Sequence, residues 1–300
     1  MSMRSRGIAL AGVTALISGV AVYVNGFGVA AYGDATAYTT AKNAMAALVI
    51  AWAFVAARPF GARLTRPAGA GQWWGLAFVA VLGGAVPFVL FFEGLASTAS
   101  TQAAFVHKTL IIWVALLAVV VLRERLTWWH GAAIGLLVVA QWGLAGEIGL
   151  VADSGLLLIA AATLMWAVEV VVAKRLLRGL TPWTVSMARM GGGAVALMAW
   201  AALTGRAGAV MPATATQWGW VLLTGVLLAG YVLTWHQALA RAQAVDVTAV
   251  LVLGALVTAA LAGALDGAPI LAKVPWLIML AAGGAMVWLA PRPAPRRQPT

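Results

Sequence analysis

The sequence predicts an all-α membrane protein of ten transmembrane helices, laid out as an inverted five-plus-five repeat. Three observations carry that prediction. Of 300 residues, 63% are hydrophobic and 9% charged, whereas soluble domains carry about 25% charged residues. The apolar residues gather in runs of roughly 20, the length a helix needs to cross the hydrocarbon. The basic residues fall almost entirely on alternate connections between those runs.

The runs lie near 7–28, 35–57, 72–95, 98–121, 127–146, 154–174, 182–204, 217–238, 245–265 and 273–290. The first follows Met1–Arg6 and resembles a signal peptide, with Ala-rich sequence near Ala30. It is read as a retained helix, because it is long enough to span and the repeat requires it. The fourth run is the least regular, with His107 and Lys108 near its middle. Gly and Pro inside the runs fit helices that pack against each other in lipid.

The connections orient the chain. Arg4, Arg6, Arg58, Arg63, Arg66, Arg123, Arg125, Lys174, Arg175, Arg178, Arg241, Arg292, Arg296 and Arg297 place 14 basic residues on one side. The other side holds Arg206 and Lys273, with Asp34, Glu93, Glu147, Asp153 and Asp266. The excess of positive charge on the inner side puts both termini in the cytoplasm of a bacterial inner membrane. An odd number of spans would scramble the partition, so the charges independently call for ten.

The two halves align weakly on each other. Lys42 lies eight residues after Asp34, and Arg189 eight after Thr181. A shift of 147 places TAYTTAKNAMAAL (36–48) on WTVSMARMGGGAV (183–195), and a shift of 144 places FFEGLASTAS (91–100) on WHQALARAQA (235–244). The predicted units are a first repeat over 1–150, a second over 151–290 and a basic tail over 291–300. With five helices per half, the second half enters the membrane upside down, the plan of many secondary transporters.

Other classes fit less well. The net charge of +11 sits in short clusters with no interleaved aromatic face, so nucleic acid is not an expected partner. No cysteine is present, which removes disulfides and thiolate metal sites. No nucleotide-binding motif, H-E-x-x-H motif or pair of aspartates within the spans occurs, and no cofactor is called for. Ser18, Ser186 and His107 leave a Ser–His hydrolase conceivable, but nothing specifies a nucleophile and base within reach. A channel is a third class. Oligomeric state has no signal in the sequence.

Several segments together resemble the drug/metabolite transporter superfamily, in its EamA-type branch. They are Lys42 early in the second helix, Arg189 early in the seventh with Pro182 before it, LRERLTWWHGAAIGLLVVAQWGL (122–144) and GYVLTWHQAL (230–239). Asp266-Gly267-Ala268-Pro269 stands where a second copy of Arg123-Glu124-Arg125 would fall. Trp113 and Trp166 look like the pocket tryptophans of YddG-type aromatic amino acid exporters. The resemblance implies a central cavity lined mainly by helices 1, 3, 4, 6, 8 and 9, and export of neutral or aromatic amino acids. Other small organic solutes or drugs are the alternative cargo.

The candidate residues follow from the cost of burying charge, about 2.5–3.5 kcal/mol per ionisable group at a helix centre. Glu169 and Arg189 fall at similar depth and can pair, as a structural ion pair or as a coupling site. Lys42 sits at the mirror depth, where its stem can snorkel outward or its ammonium can meet substrate. Lys108 can attract a substrate carboxylate; His107, about 100° round the same helix, can pack or bind. Phe88 and Phe92, and Tyr231 and Trp235, are spaced four apart on the third and eighth helices, as outer and inner gates. Trp73, Trp74, Trp128, Trp129, Trp218 and Trp276 fall at helix ends, as interfacial belts.

Overall fold

The computed structural model describes residues 2–98, 100–145, 153–267 and 271–290. The expected tail 291–300 with Arg292, Arg296 and Arg297, Glu147, and Ala268-Pro269 lie outside the described residues. Among those described, every regular element is helical. The elements are α1 (Met3–Tyr32), α2 (Ala35–Ala57), α3 (Ala70–Gly84), α4 (Val86–Ser97), α5 (Ser100–Lys108), α6 (Leu110–Leu117) and α7 (Trp128–Ala145). The second half supplies α8 (Ser154–Leu176), α9 (Pro182–Met187), α10 (Gly193–Leu203), α11 (Ala207–Val210), α12 (Ala215–Leu239), α13 (Ala244–Leu251), α14 (Gly254–Leu265) and α15 (Val274–Leu289). π-helical turns over Ala118–Leu122 and Ala188–Gly192 extend α6 and join α9 to α10.

All ten predicted ranges are occupied by helix. Seven helical stretches among the described residues are long and apolar enough to cross a membrane: Met3–Tyr32, Ala35–Phe60, Ala70–Ser97, Phe105–Leu122, Ser154–Leu176, Ala215–Leu239 and Ala244–Leu265. The expected fourth span breaks at Thr109, just after the polar pair His107-Lys108, and the Thr109 hydroxyl takes the Val106 carbonyl at 2.7 Å.

Side-chain caps fix several starts. Asp34 accepts from the Ala37 amide at 2.8 Å, Asp153 from Leu156 at 2.6 Å and Thr214 from Gln217 at 3.2 Å. Each satisfies one of the amides that a helix start leaves without an internal partner. Gly33, at φ 69°, closes α1 in the left-handed conformation that glycine adopts without strain and sends the chain straight into α2.

The packing interleaves the halves. In the first half, α1 runs along α12; in the second, α8 runs along α3 and α4. α2 crosses α12, and the Ala188–Gly192 turn crosses α3. Thus the first helix of each half lies on the third helix of the other, and the second crosses the third. Small residues make the crossings close. A Cβ on Gly84 would meet the Arg189 carbonyl oxygen at 2.0 Å, and one on Gly193 would meet the Gly84 carbonyl at 2.5 Å. The opposite crossing repeats the arrangement more loosely, since a Cβ on Gly225 would stand 3.3 Å from the Lys42 carbonyl.

The Gly84 contact is against backbone, which has nowhere to move. Gly84→Ala should therefore lower the thermal midpoint of the detergent-purified protein, with a cost in the range of about 1–3 kcal/mol typical of overpacking. Gly12→Ala, where a new Cβ meets nothing within 4 Å, should be neutral or stabilising, because alanine is the better helix former. Equal midpoints for both variants would refute the tight crossing.

Candidate functional site

One cavity of about 110 Å³ lies inside the bundle. α1, α2, α4, α5, α6, α8, the Ala188–Gly192 turn and α12 all contribute to its wall. It is built around a break in the third span. Pro87 has no amide hydrogen, so the Gly83 carbonyl four residues earlier has no helical donor. Ala85, at φ −131° and ψ −78°, bends the chain between α3 and α4. The freed carbonyl instead accepts from Trp166 Nε1 at 3.2 Å and from Arg189 Nε at 3.2 Å. The break in one half thereby fixes an aromatic ring and a guanidinium from the other.

Arg189 Nε stands 3.8 Å from Glu169 Oε1, so the expected pair forms. His236 Nε2 approaches the same oxygen at 3.9 Å, while its Nδ1 meets the Ser186 hydroxyl at 2.8 Å. Glu169 is 1% exposed and Arg189 4%. Contact at that range leaves Glu169 Oε1, Arg189 Nη1 and His236 Nε2 without a hydrogen-bond partner. Buried polar atoms without a protein partner are uncommon in folded proteins.

An aromatic box adjoins these groups. The Trp166 ring lies 5.3 Å from Phe88, 5.6 Å from Phe91 and 5.1 Å from His107, centroid to centroid. Tyr231 and Trp235 stack at 5.9 Å with their planes 11° apart. Phe88, Phe92, Tyr231 and Trp235 all line the same cavity as Trp166.

Lys42 does not snorkel outward. It is 2% exposed, with its ammonium 3.7 Å from the Phe92 ring centroid and 3.4 Å from Asn25 Oδ1. The Tyr38 hydroxyl stands 2.9 Å from Asn25 Oδ1 and 3.0 Å from Thr224 Oγ1, with one hydrogen to share between these two acceptors. His107 faces the cavity, but Lys108 does not; it borders a separate void of about 10 Å³ beside Thr248, Leu251 and Val252. Trp113 corrects the expectation most clearly. It is 39% exposed and absent from the cavity wall, because α6 buries Leu110, Ile111 and Val114 and turns Ile112, Trp113 and Leu116 outward. The second and seventh spans line the cavity through Lys42 and Arg189, while the ninth, expected there, does not.

Two charge clusters join the halves at opposite ends of the bundle. At one face Arg206 lies 2.9 Å from Glu93 and 3.6 Å from Asp34, and Thr36 donates to Glu93 at 2.5 Å. At the other, Asp246 accepts from Arg4 at 2.9 Å and faces His130 Nε2 at 3.1 Å. The Thr127 amide donates to His130 Nδ1 at 3.1 Å, which leaves the Nε2 hydrogen for Asp246. Glu124 accepts from the Ala244 and Val245 amides at 2.8 and 3.4 Å, capping α13 from the opposite half. Burial pushes the Glu124 carboxyl upward, and those two amides oppose the shift. Among the described residues, no group of three His, Asp or Glu side chains is placed to hold a metal ion.

The profile of the EamA-like transporter family matches residues 5–145 and again 153–290, nearly the whole chain in two copies. The chain belongs to this family. It is therefore a membrane transport protein of small molecules, built from two EamA repeats. No curated protein matches it in sequence. Of the solved structures, one titled "Crystal structure of protein" is 18% identical, covers 95% of this chain and 97% of its own, and superposes with a TM-score of 0.73. That likeness establishes the fold alone.

His236, Asp246 and Asn25 are functional candidates that sequence reasoning missed. Each is a polar residue within or at the start of an apolar run, the criterion that singled out Glu169. Glu169→Gln should leave the Arg189 guanidinium buried and unpaired, at a cost of about 3–5 kcal/mol. Arg189→Gln should cost a similar amount, and the double replacement should cost less than the sum. Thermal midpoints of the three variants measure this, and additive losses would show that the two groups do not interact.

Proposed function

We propose that the protein is a secondary transporter that exports neutral or aromatic amino acids by alternating access through the central cavity. The observation that carries this reading is an internal cavity walled by helices of both halves, with charge pairs joining the halves at each face. A cavity whose wall both halves share suits a carrier in which the halves move against each other. The aromatic box of Phe88, Phe91, His107 and Trp166 suits an aromatic or aliphatic side chain. The polar groups around Glu169 and Lys42 suit its charged end.

Ten membrane spans in an inverted five-plus-five arrangement are part of the same reading, supported by the reciprocal packing of each half's first helix on the other's third. So is a bacterial inner-membrane location with both termini cytoplasmic, supported by the 14 basic residues on one set of connections. The Arg206–Glu93–Asp34 cluster is then the periplasmic closure and the Arg4–Asp246–His130 cluster the cytoplasmic one. The matching depths of Lys42 and Arg189 also follow from such a pseudo-dyad.

The absence of cysteine makes the test direct. A single Val22→Cys substitution, in the cavity wall, can be probed with a membrane-impermeant thiol reagent from either face of proteoliposomes. Saturable counterflow of a labelled amino acid, with labelling from one face altered by substrate, is the expected outcome. Substrate-independent labelling from both faces would indicate a channel instead. Phe91→Ala should raise the KM for aromatic amino acids about 3–10-fold, the loss of one aromatic contact, and leave alanine exchange unchanged; an equal effect on both would remove the aromatic preference.

A further inference from the structure

Two basic side chains line the cavity, and only one has an acidic partner. Arg189 has Glu169. Lys42 has no ion-pair partner among the described residues; its contacts are the Phe92, Tyr38 and Phe88 rings at 3.7, 5.3 and 5.5 Å and one shared amide oxygen. Ring faces and an amide dipole recover only part of what an ammonium loses on leaving water. The repeat explains why the partner is missing. Arg189 lies 147 residues after Lys42 (189 − 42), and the same offset from Glu169 falls on Val22 (169 − 147). Val22 lines the cavity, so the first half presents a valine at the position where the second presents its carboxylate.

Lys108 is the other buried lysine without an acidic partner, but its void of about 10 Å³ holds no more than one water. The cavity beside Lys42 is about 110 Å³ and apolar over most of its wall. A ligand entering it can therefore bring a negative charge to the Lys42 ammonium while its apolar part lies against Phe88 and Phe92.

We propose that Lys42 is the anchor for a carboxylate of the transported solute, so that the cargo must be a small carboxylate-bearing metabolite. This rests on the carrier reading above and narrows it: the carboxylate, and not the ammonium of an amino acid, is the group that recognition requires. The Glu169–Arg189 pair is already neutral overall and supplies hydrogen-bonding atoms to the rest of the molecule.

The test uses the full chain in proteoliposomes, exchanging labelled phenylalanine against unlabelled competitors, with a second arm using labelled 3-phenylpropionate. In the wild type, 3-phenylpropionate should compete, while phenylalaninamide and phenethylamine should compete about tenfold less well, the factor expected for one charge-assisted contact. Lys42→Gln should raise the KM for phenylalanine by about tenfold or more, and Lys42→Arg should restore most of the affinity. If Lys42→Gln does not elute as a folded species, wild-type competition alone decides. The amide and amine competing as well as the acid, or an unchanged KM in a folded Lys42→Gln variant, would overturn the anchor. Exchange of 3-phenylpropionate without phenylalanine would uphold the anchor and remove the amino-acid cargo. Exchange of phenethylamine without either acid would remove the anchor and leave a carrier.

Discussion

A carbonyl that its own helix cannot satisfy organises the centre of this protein. Inside a bilayer a free carbonyl costs several kcal/mol, since no water is at hand to take a hydrogen bond. Pro87 creates such a carbonyl at Gly83, and the partners that answer it come from the opposite half: the Trp166 indole and the Arg189 guanidinium. Those two bonds set the ring that forms one wall of the cavity and the cation that holds Glu169. They also demand that α3 and the Ala188–Gly192 turn approach closely, which glycine at 84 and 193 permits. The π-helical turn at Arg189 belongs to the same constraint. One extra residue in a turn rotates the side chain relative to a regular helix, and such turns recur at functional sites.

The distribution of buried charge then separates support from function. Asp246 is fully answered, by Arg4, His130 and the packing of both. Lys174 donates to the Leu239 and Ala242 carbonyls, where the end of α12 concentrates negative dipole. These groups fasten the ends of helices and leave no bonding capacity over. Around the cavity the pattern is different. Arg189 and His236 each stand near 4 Å from Glu169 Oε1, all three keep an unpartnered polar atom, and Lys42 leans on aromatic faces. A network built only for stability would close those distances; a network that receives a changing partner leaves capacity open.

Much of the architecture was legible because lipid imposes a coarse rule. Runs of about 20 apolar residues must be helical, and all ten predicted ranges are occupied by helix. The Glu169–Arg189 pair was legible for the same reason: two charges at one depth have few other partners. What failed depended on rotation about helix axes. Depth can be counted from a helix end, but the facing direction of Trp113 is set by which side of α6 meets α8 and α13, and that is a property of the assembled bundle. The break at Thr109 compounded the error, since an interrupted helix does not carry its register from His107 through to Trp113. Lys42 was placed at the right depth, but besides Tyr38 one turn back on its own helix its burial comes from Phe88 and Phe92 of α4, contacts between separate helices that no periodicity encodes.

The two end clusters differ in what holds them. Arg206, Glu93 and Asp34 are 39%, 36% and 30% exposed at their side chains. Ion pairs so open to solvent contribute about 0–1 kcal/mol each. At the opposite end Asp246 and His130 are 0% and 1% exposed, and Arg4 22%. Separating a buried carboxylate from its partners strands it in low dielectric, a loss on the order of 3–5 kcal/mol. The Arg206 cluster is therefore the weaker tie of the two, and water can replace its partners as they part. The Asp246 cluster is the stronger tie, so under the proposed alternating access its parting needs an interaction that forms as the old one breaks. A solute that changes contacts inside the cavity is one source of that free energy, because only a ligand bound differently in the two states can shift the balance between them.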